Sequence, residues 1–326
     1  MRALRAEWCL GVTATAFDSR DRRLSLSNKH QLTVAGLVIT TGARARRLRG
    51  APEGVHALRT LDDALRLRAD LRTGGHLVVI GGGFVGAEVA SSARRLGNEV
   101  TMVEAERVPL LSRLGAPAAT ALARMHKDNG VHVITGRTAQ RVIGEKQAYT
   151  VLLDDGTRLP ADIVVAGVGA APNVEWLDGS GIGCANGVLT DQWGRTDVPG
   201  VVAAGDVANH RGRHGRHRIE HWTNARDMPV TAAKALLAEL RGQEIATLPK
   251  YDPVPYVWSD QYGSHLQLAG HPHPGDRFTV EEGSLDGPFV ATYRRDGSIS
   301  AVLALDNLKP FALLRRRPVS YTHLTL

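Results

Sequence analysis

Gly81-Gly82-Gly83-Phe84-Val85-Gly86 places glycine at the first, third and sixth positions of one short stretch. It follows the β-branched run Leu77-Val78-Val79-Ile80 and opens residues 84–96, where Val85, Val89, Ala93 and Leu96 recur at helical spacing. In a strand–turn–helix of this kind Gly81 permits the tight turn and Gly83 lets a pyrophosphate approach the backbone. Gly86 lets the helix pack on the strand. The free amides of the first helical turn then hold phosphate oxygens. Glycines at this spacing also make ordinary turns. Here, however, Glu104 ends the next apolar run, where an acid accepts hydrogen bonds from ribose hydroxyls, and the combination implies dinucleotide binding. Glu104 and Glu106 would repel the extra phosphate of NADPH, and Arg107 alone argues the other way, so NADH is the expected cofactor.

Other candidates are less determined by their own residues. Glu88 falls in the first turn of the same helix, either as a carboxylate favoured by the helix dipole or as a cofactor ligand. Asp206 follows the apolar run Val201-Val202-Ala203-Ala204 and Gly205. A carboxylate just past a strand can accept hydrogen bonds from sugar-like hydroxyls, or can simply close a turn. His210, His214, His217 and His221 lie in an arginine- and glycine-rich stretch without a carboxylate set, which favours a solvated loop over a metal centre. Cys9 and Cys184 are far apart in sequence and form no Cys-x-x-Cys, so buried or inert thiols are expected and no metal.

The elements that must position these groups alternate. After the first strand and helix come a strand at 100–103, a helix at 117–129 with Pro117 in its first turn, and a strand at 130–134. That order is the doubly wound α/β pattern. Upstream, residues 1–36 read as short β segments, 37–40 as a buried strand ending near Gly42, and 61–71 as a helix with Leu61, Leu65 and Leu71 on its apolar face. Downstream, 149–159 reads as a hairpin around Asp155-Gly156, 163–168 as a strand and 223–240 as a helix. From Tyr251 the texture changes to prolines, aromatics and short strands, marking a further domain.

The 326 residues suffice for two or three domains, and 43% hydrophobic with 22% charged residues is an ordinary globular balance. No apolar run approaches the roughly 20 residues of a membrane span, and the N-terminus lacks a secretory pattern, so a cytoplasmic protein is expected. The net charge of +7 is spread over scattered arginines rather than one basic block, which points away from nucleic acid and fits either an acidic protein partner or a plain compositional bias.

Taken together, Thr41-Gly42-Ala43, Leu58-Arg59-Thr60, Gly81 to Glu88, Ala204-Gly205-Asp206, Glu220-His221-Trp222-Thr223-Asn224-Ala225 and Trp258-Ser259-Asp260-Gln261-Tyr262 resemble the FAD-dependent, NADH-using ferredoxin reductases of oxygenase systems. Rubredoxin and putidaredoxin reductases are relatives within the same pyridine nucleotide-disulfide oxidoreductase family. The resemblance implies two glutathione-reductase-type, Rossmann-like nucleotide domains and a C-terminal α+β domain. The FAD-binding domain is expected at 1–43 and 165–248, the NADH-binding domain at 44–164 and the C-terminal domain at 249–318. It further implies Glu88 at the nicotinamide carboxamide and Glu104 at the adenosine ribose. FAD would meet Ala14, Thr41, Gly42, Arg59, Gly205, Asp206 and Trp222. Trp258 would lie beside the flavin, near where a small acidic ferredoxin or rubredoxin docks. The cofactors carry the chemistry, so no catalytic side chain is expected; the protein would be a monomer or homodimer, without a nucleic-acid or membrane partner. Two departures from the family are expected: its first βαβ unit is missing ahead of Met1, and residues 319–326 are non-native. Alternative readings are an NADH oxidase or disulfide reductase of the same superfamily, and a non-catalytic NADH-binding fragment.

Overall fold

A computed structural model describes residues 6–212 and 215–316. The chain forms two compact units, one of residues 44–170 with 254–326 and the other of residues 1–43 with 171–253.

In the first of these, four parallel strands lie in the order Ile163–Ala166, His76–Ile80, Glu99–Glu104, Val131–Thr135. The first pairs Ile163 with Leu77 and carries the unit past residue 165 to Ala170. Alternation along His76–Ile80 splits its side chains between two cores. Leu77 and Val79 face the helix Phe84–Arg95 through Val89, Ala90 and Ala93. Val78 and Ile80 face an antiparallel sheet of Ala139–Glu145, Ala148–Leu153 and Arg158–Ala161 through Val142, Val151 and Leu153. Buried on both faces, a strand reads as an unbroken apolar run. Each such aliphatic side chain contributes about 1.5–3 kcal/mol.

Two helical faces differ from the expectation. Phe84–Arg95 packs through Gly86, Ala87, Val89, Ala90 and Ala93, while Val85 and Leu96 are exposed. Helix Leu61–Leu71 is capped by Thr60, whose hydroxyl accepts from Asp63 N–H, but it buries Leu67 and Leu71 and leaves Leu61 74% exposed. The second nucleotide helix begins earlier than expected, at Leu111. It is broken at Gly115, whose φ of 72° is left-handed, so Pro117 sits in the first turn after the break.

The same unit ends in a five-stranded antiparallel sheet, ordered Tyr256–Gln261, Ser264–Gly270, Ser298–Leu305, Phe289–Arg295, Arg277–Gly283. One face packs Leu266, Phe289, Ala291 and Leu303 onto Leu114, Ala118 and Leu122 of helix Leu111–Asp128. The other packs Val290 and Val302 against Phe311 of the short helix Leu308–Leu314. This sheet is thereby packed directly on the nucleotide-binding half.

The second unit pairs Leu37–Ile39 with Val201–Ala203 in parallel and carries an antiparallel sheet of Ala14–Asp18, Arg23–Leu26 and Gln31–Thr33. Helix Trp222–Leu240 closes its core through Met228, Ala232 and Leu236. His210 and His217 lie in strands rather than in a loop, while His221 is the N-cap of helix Trp222–Leu240. Ala208–Gly212 and Gly215–His217 form a hairpin, and His210 is buried with Nε2 at 2.8 Å from the Tyr251 carbonyl. Both cysteines are exposed rather than buried. No described helix is long and apolar enough to cross a membrane. The expectations for His214 and for residues 319–326 lie outside the described residues.

Candidate dinucleotide and electron-transfer site

The glycine turn has the shape its three roles require. A Cβ on Gly81, at φ 101°, would stand 2.5 Å from the Gly167 carbonyl oxygen. One on Gly86 would stand 2.0 Å from the Gly81 carbonyl oxygen, so helix and strand approach here only through glycine. Gly83, the N-cap of the helix, has open space where its Cβ would be and no side-chain cap. The first N–H groups of Phe84–Arg95 have no side-chain cap, and the open space at Gly83 leaves room for a pyrophosphate to approach the backbone.

Glu104, at the end of its strand, is half-buried and doubly engaged. Its Oε2 accepts from Gly82 N–H at 2.6 Å and its Oε1 from Glu106 N–H at 2.9 Å. The acid therefore fixes the glycine turn, and its remaining lone pairs stay available for hydroxyl donors.

Glu88 lies one turn along the helix. Its Oε1 accepts from the Ser259 hydroxyl at 2.6 Å, and Ser259 Oγ in turn accepts from Gln261 Nε2 at 3.0 Å. Burial pushes the Glu88 carboxyl above the usual carboxylate range, against the opposing hydrogen bonds from Ser259 and the Asp260 backbone. Ser91, three residues on and so on the same helical face, accepts from Tyr262 N–H at 2.7 Å. The Tyr262 hydroxyl lies 2.7 Å from Nδ1 of the buried His126, whose pKa burial lowers to about 4. Strand Tyr256–Gln261 thus buries Ser259 and Gln261 on one face and turns Trp258, 38% exposed, to the other. Trp258 packs on Tyr256 with ring centroids 5.7 Å apart.

The sequence singled out Glu88 and Trp258 but assigned no role to Ser259, Gln261, Ser91, Tyr262 or His126. The available signal was period two: polar Ser259 and Gln261 occupy the face of the strand that packs inward.

In the other unit, Thr41 and Gly42 form a turn locked to Asn173. Thr41 Oγ1 donates to the Asn173 carbonyl, Asn173 Nδ2 donates to the Thr41 carbonyl, both at 2.8 Å, and Asn173 N–H donates to Gly42. Gly205 and Asp206 lie in a single helical turn directly after Val201–Ala203, with the Asp206 carbonyl accepting from Arg218. Trp222 opens helix Trp222–Leu240, 62% exposed, with the Arg226 guanidinium 5.1 Å from its ring centroid. Ala14 begins the first strand of this unit. Arg59, in the first unit, is exposed beside the Thr60 cap, its N–H donating to Asp63. Among the described residues no group of three or more His, Cys, Asp and Glu side chains could hold a metal ion.

A parallel sheet with a glycine turn and an acid at the next strand end defines a protein of the dinucleotide-binding class. The chain belongs to the pyridine nucleotide-disulphide oxidoreductase family, whose pattern matches residues 2–228, and a reductase C-terminal domain matches residues 256–318. It is 35% identical over 312 residues to the ferredoxin–NAD(+) reductase component of the p-cumate 2,3-dioxygenase system of Pseudomonas putida, covering 94% of this chain and 74% of that protein. It is 33% identical to putidaredoxin reductase CamA of Pseudomonas putida, covering 96% of this chain and 72% of the relative. Among solved structures it resembles Fdr9, with a TM-score of 0.86 at 35% identity, covering 95% of this chain and 77% of Fdr9. It also resembles the reductase–putidaredoxin covalent complex, with a TM-score of 0.84 at 31% identity, covering 94% of this chain and 74% of that one. The chain thus spans about three quarters of the length of these relatives.

Proposed function

We propose that this protein is a flavoprotein reductase that takes electrons from NADH and passes them through FAD to a small acidic iron–sulfur protein of the ferredoxin type, serving an oxygenase. The observation that carries this reading is the Glu88–Ser259 hydrogen bond, which ties the dinucleotide helix to the strand that displays Trp258. The named ferredoxin–NAD(+) reductases and putidaredoxin reductase among its relatives support it.

The residues fit the two nucleotides. The open volume at Gly83 suits the pyrophosphate of NADH, Glu104 its adenosine ribose and Glu88 the carboxamide that orients the nicotinamide. For FAD, the half-buried Asp206 after Gly205 suits a ribityl hydroxyl, and the locked Thr41–Gly42 turn, Ala14, Arg59 and Trp222 are the further assigned contacts. When bound, FAD supplies a two-electron acceptor that releases its electrons singly. The protein's own work is to bind and orient, and no side-chain acid or nucleophile is required. The net charge of +7 favours an acidic partner. A cytoplasmic home suits an enzyme that draws on NADH.

The test is steady-state reduction of an acidic [2Fe–2S] ferredoxin by the FAD-loaded protein with NADH. Ferredoxin-dependent turnover is expected, with little activity on a dithiol-forming disulfide. Efficient disulfide reduction without ferredoxin turnover would overturn the assignment.

A further inference from the structure

The chain Gln261–Ser259–Glu88 is more elaborate than packing requires. Ser259 is fully buried and Gln261 is 1% exposed, on a strand whose inward positions could be filled by apolar side chains. A serine hydroxyl has one proton to give. Because the Gln261 amide donates to Ser259 Oγ, that proton is directed to Glu88 Oε1. The amide's other end makes no competing bond, since Gln261 Oε1 is buried with no hydrogen-bond partner among the described residues. With Oε1 so engaged and the Asp260 backbone also bonded to it, the Glu88 carboxylate is held in one rotation, and its remaining lone pairs can accept from an incoming N–H. The strand that sets this geometry is itself pinned where it ends, by Ser91 on Tyr262 N–H and by His126 on the Tyr262 hydroxyl.

We infer that Ser259, its hydroxyl directed by Gln261, is a positioning residue that orients the Glu88 carboxylate toward the nicotinamide carboxamide of NADH. This rests on the assignment of Glu88 to the carboxamide.

The experiment compares binding of NADH with binding of ADP-ribose, which shares the adenosine and pyrophosphate but lacks nicotinamide. In Ser259→Ala, NADH affinity should fall about threefold to tenfold, the loss of roughly one well-placed hydrogen bond, while ADP-ribose affinity stays within about twofold. Retained ADP-ribose binding also reports that the nucleotide half is folded. Gln261→Met, which frees the serine proton to turn away, should show the same discrimination at smaller size. Ser259→Thr, which keeps the hydroxyl, should restore NADH binding toward the parent value. Equal losses for both ligands, or no loss for either, would overturn the inference. Glu88→Ala separates the two levels: if it too fails to distinguish NADH from ADP-ribose, the placement of Glu88 is wrong. If it distinguishes them and Ser259→Ala does not, only the role of Ser259 falls.

Discussion

Replacing Glu104 should affect folding and cofactor choice together, because the structure gives its carboxylate two backbone hydrogen bonds besides the ribose it is assigned. The bonds to Gly82 N–H at 2.6 Å and Glu106 N–H at 2.9 Å hold the glycine turn in the form that leaves Gly83 open. A hydrogen bond to a charged group contributes about 1.5–3 kcal/mol, but Glu104 is half-exposed and water can replace part of each. Glu104→Ala should therefore cost about 2 kcal/mol of stability, measured by urea unfolding. NADH affinity should fall about tenfold to a hundredfold through the lost ribose bond, measured by nucleotide fluorescence titration. NADPH, relieved of a like charge, should lose less, so the preference between the two narrows. Glu104→Gln keeps an oxygen for Gly82 and removes the charge. It should retain most of the stability while still narrowing the preference. Unchanged NADH affinity in Glu104→Ala, with no relative gain for NADPH, would refute the reasoning.

Three further outcomes are expected. Gly86→Ala should destabilise the protein, since its methyl would stand 2.0 Å from the Gly81 carbonyl oxygen, whereas Gly83→Ala should fold normally and lose NADH binding; thermal melts and titrations separate them. Burial depresses the folded-state pKa of His126 to about 4, below its unfolded value of about 6.5, so the unfolded chain binds the proton first as pH falls. Its contribution is present above about pH 6.5 and is lost progressively toward pH 4, amounting to about 3 kcal/mol. Urea unfolding at about pH 7.5 and pH 5 should show a smaller acid loss in His126→Gln than in the parent, and equal losses would contradict this. Finally, ferredoxin reduction should slow as salt rises, because steering fades as the Debye length shortens to about 8 Å near physiological ionic strength, while NADH-to-dye turnover stays nearly constant.

The glycine turn was legible in the sequence because everything it needs is local: the apolar run before it, the helix after it and Glu104 one strand on. The strand Leu77-Val78-Val79-Ile80 was legible for the same reason, being buried on both faces. Helical faces were less so. Hydrophobicity favoured Val85 and Leu96, but a helix lying close on a sheet meets it through small residues, and Gly86, Ala87, Ala90 and Ala93 form that face. His210 looked solvated because no apolar periodicity surrounds it, yet a hairpin and the Tyr251 carbonyl bury it. The Glu88–Ser259 and Ser91–Tyr262 bonds each join residues 171 positions apart, and no local spacing can announce them.

The central claim is that hydride equivalents from NADH leave this protein as single electrons to an iron–sulfur acceptor. The direct measurement is an anaerobic titration of the FAD-loaded protein with limiting NADH in the presence of excess oxidised [2Fe–2S] ferredoxin, following the visible absorbance of both. Each NADH consumed should reduce two ferredoxins, since one hydride carries two electrons and each acceptor takes one. Consumption of NADH with the ferredoxin left oxidised would contradict the account.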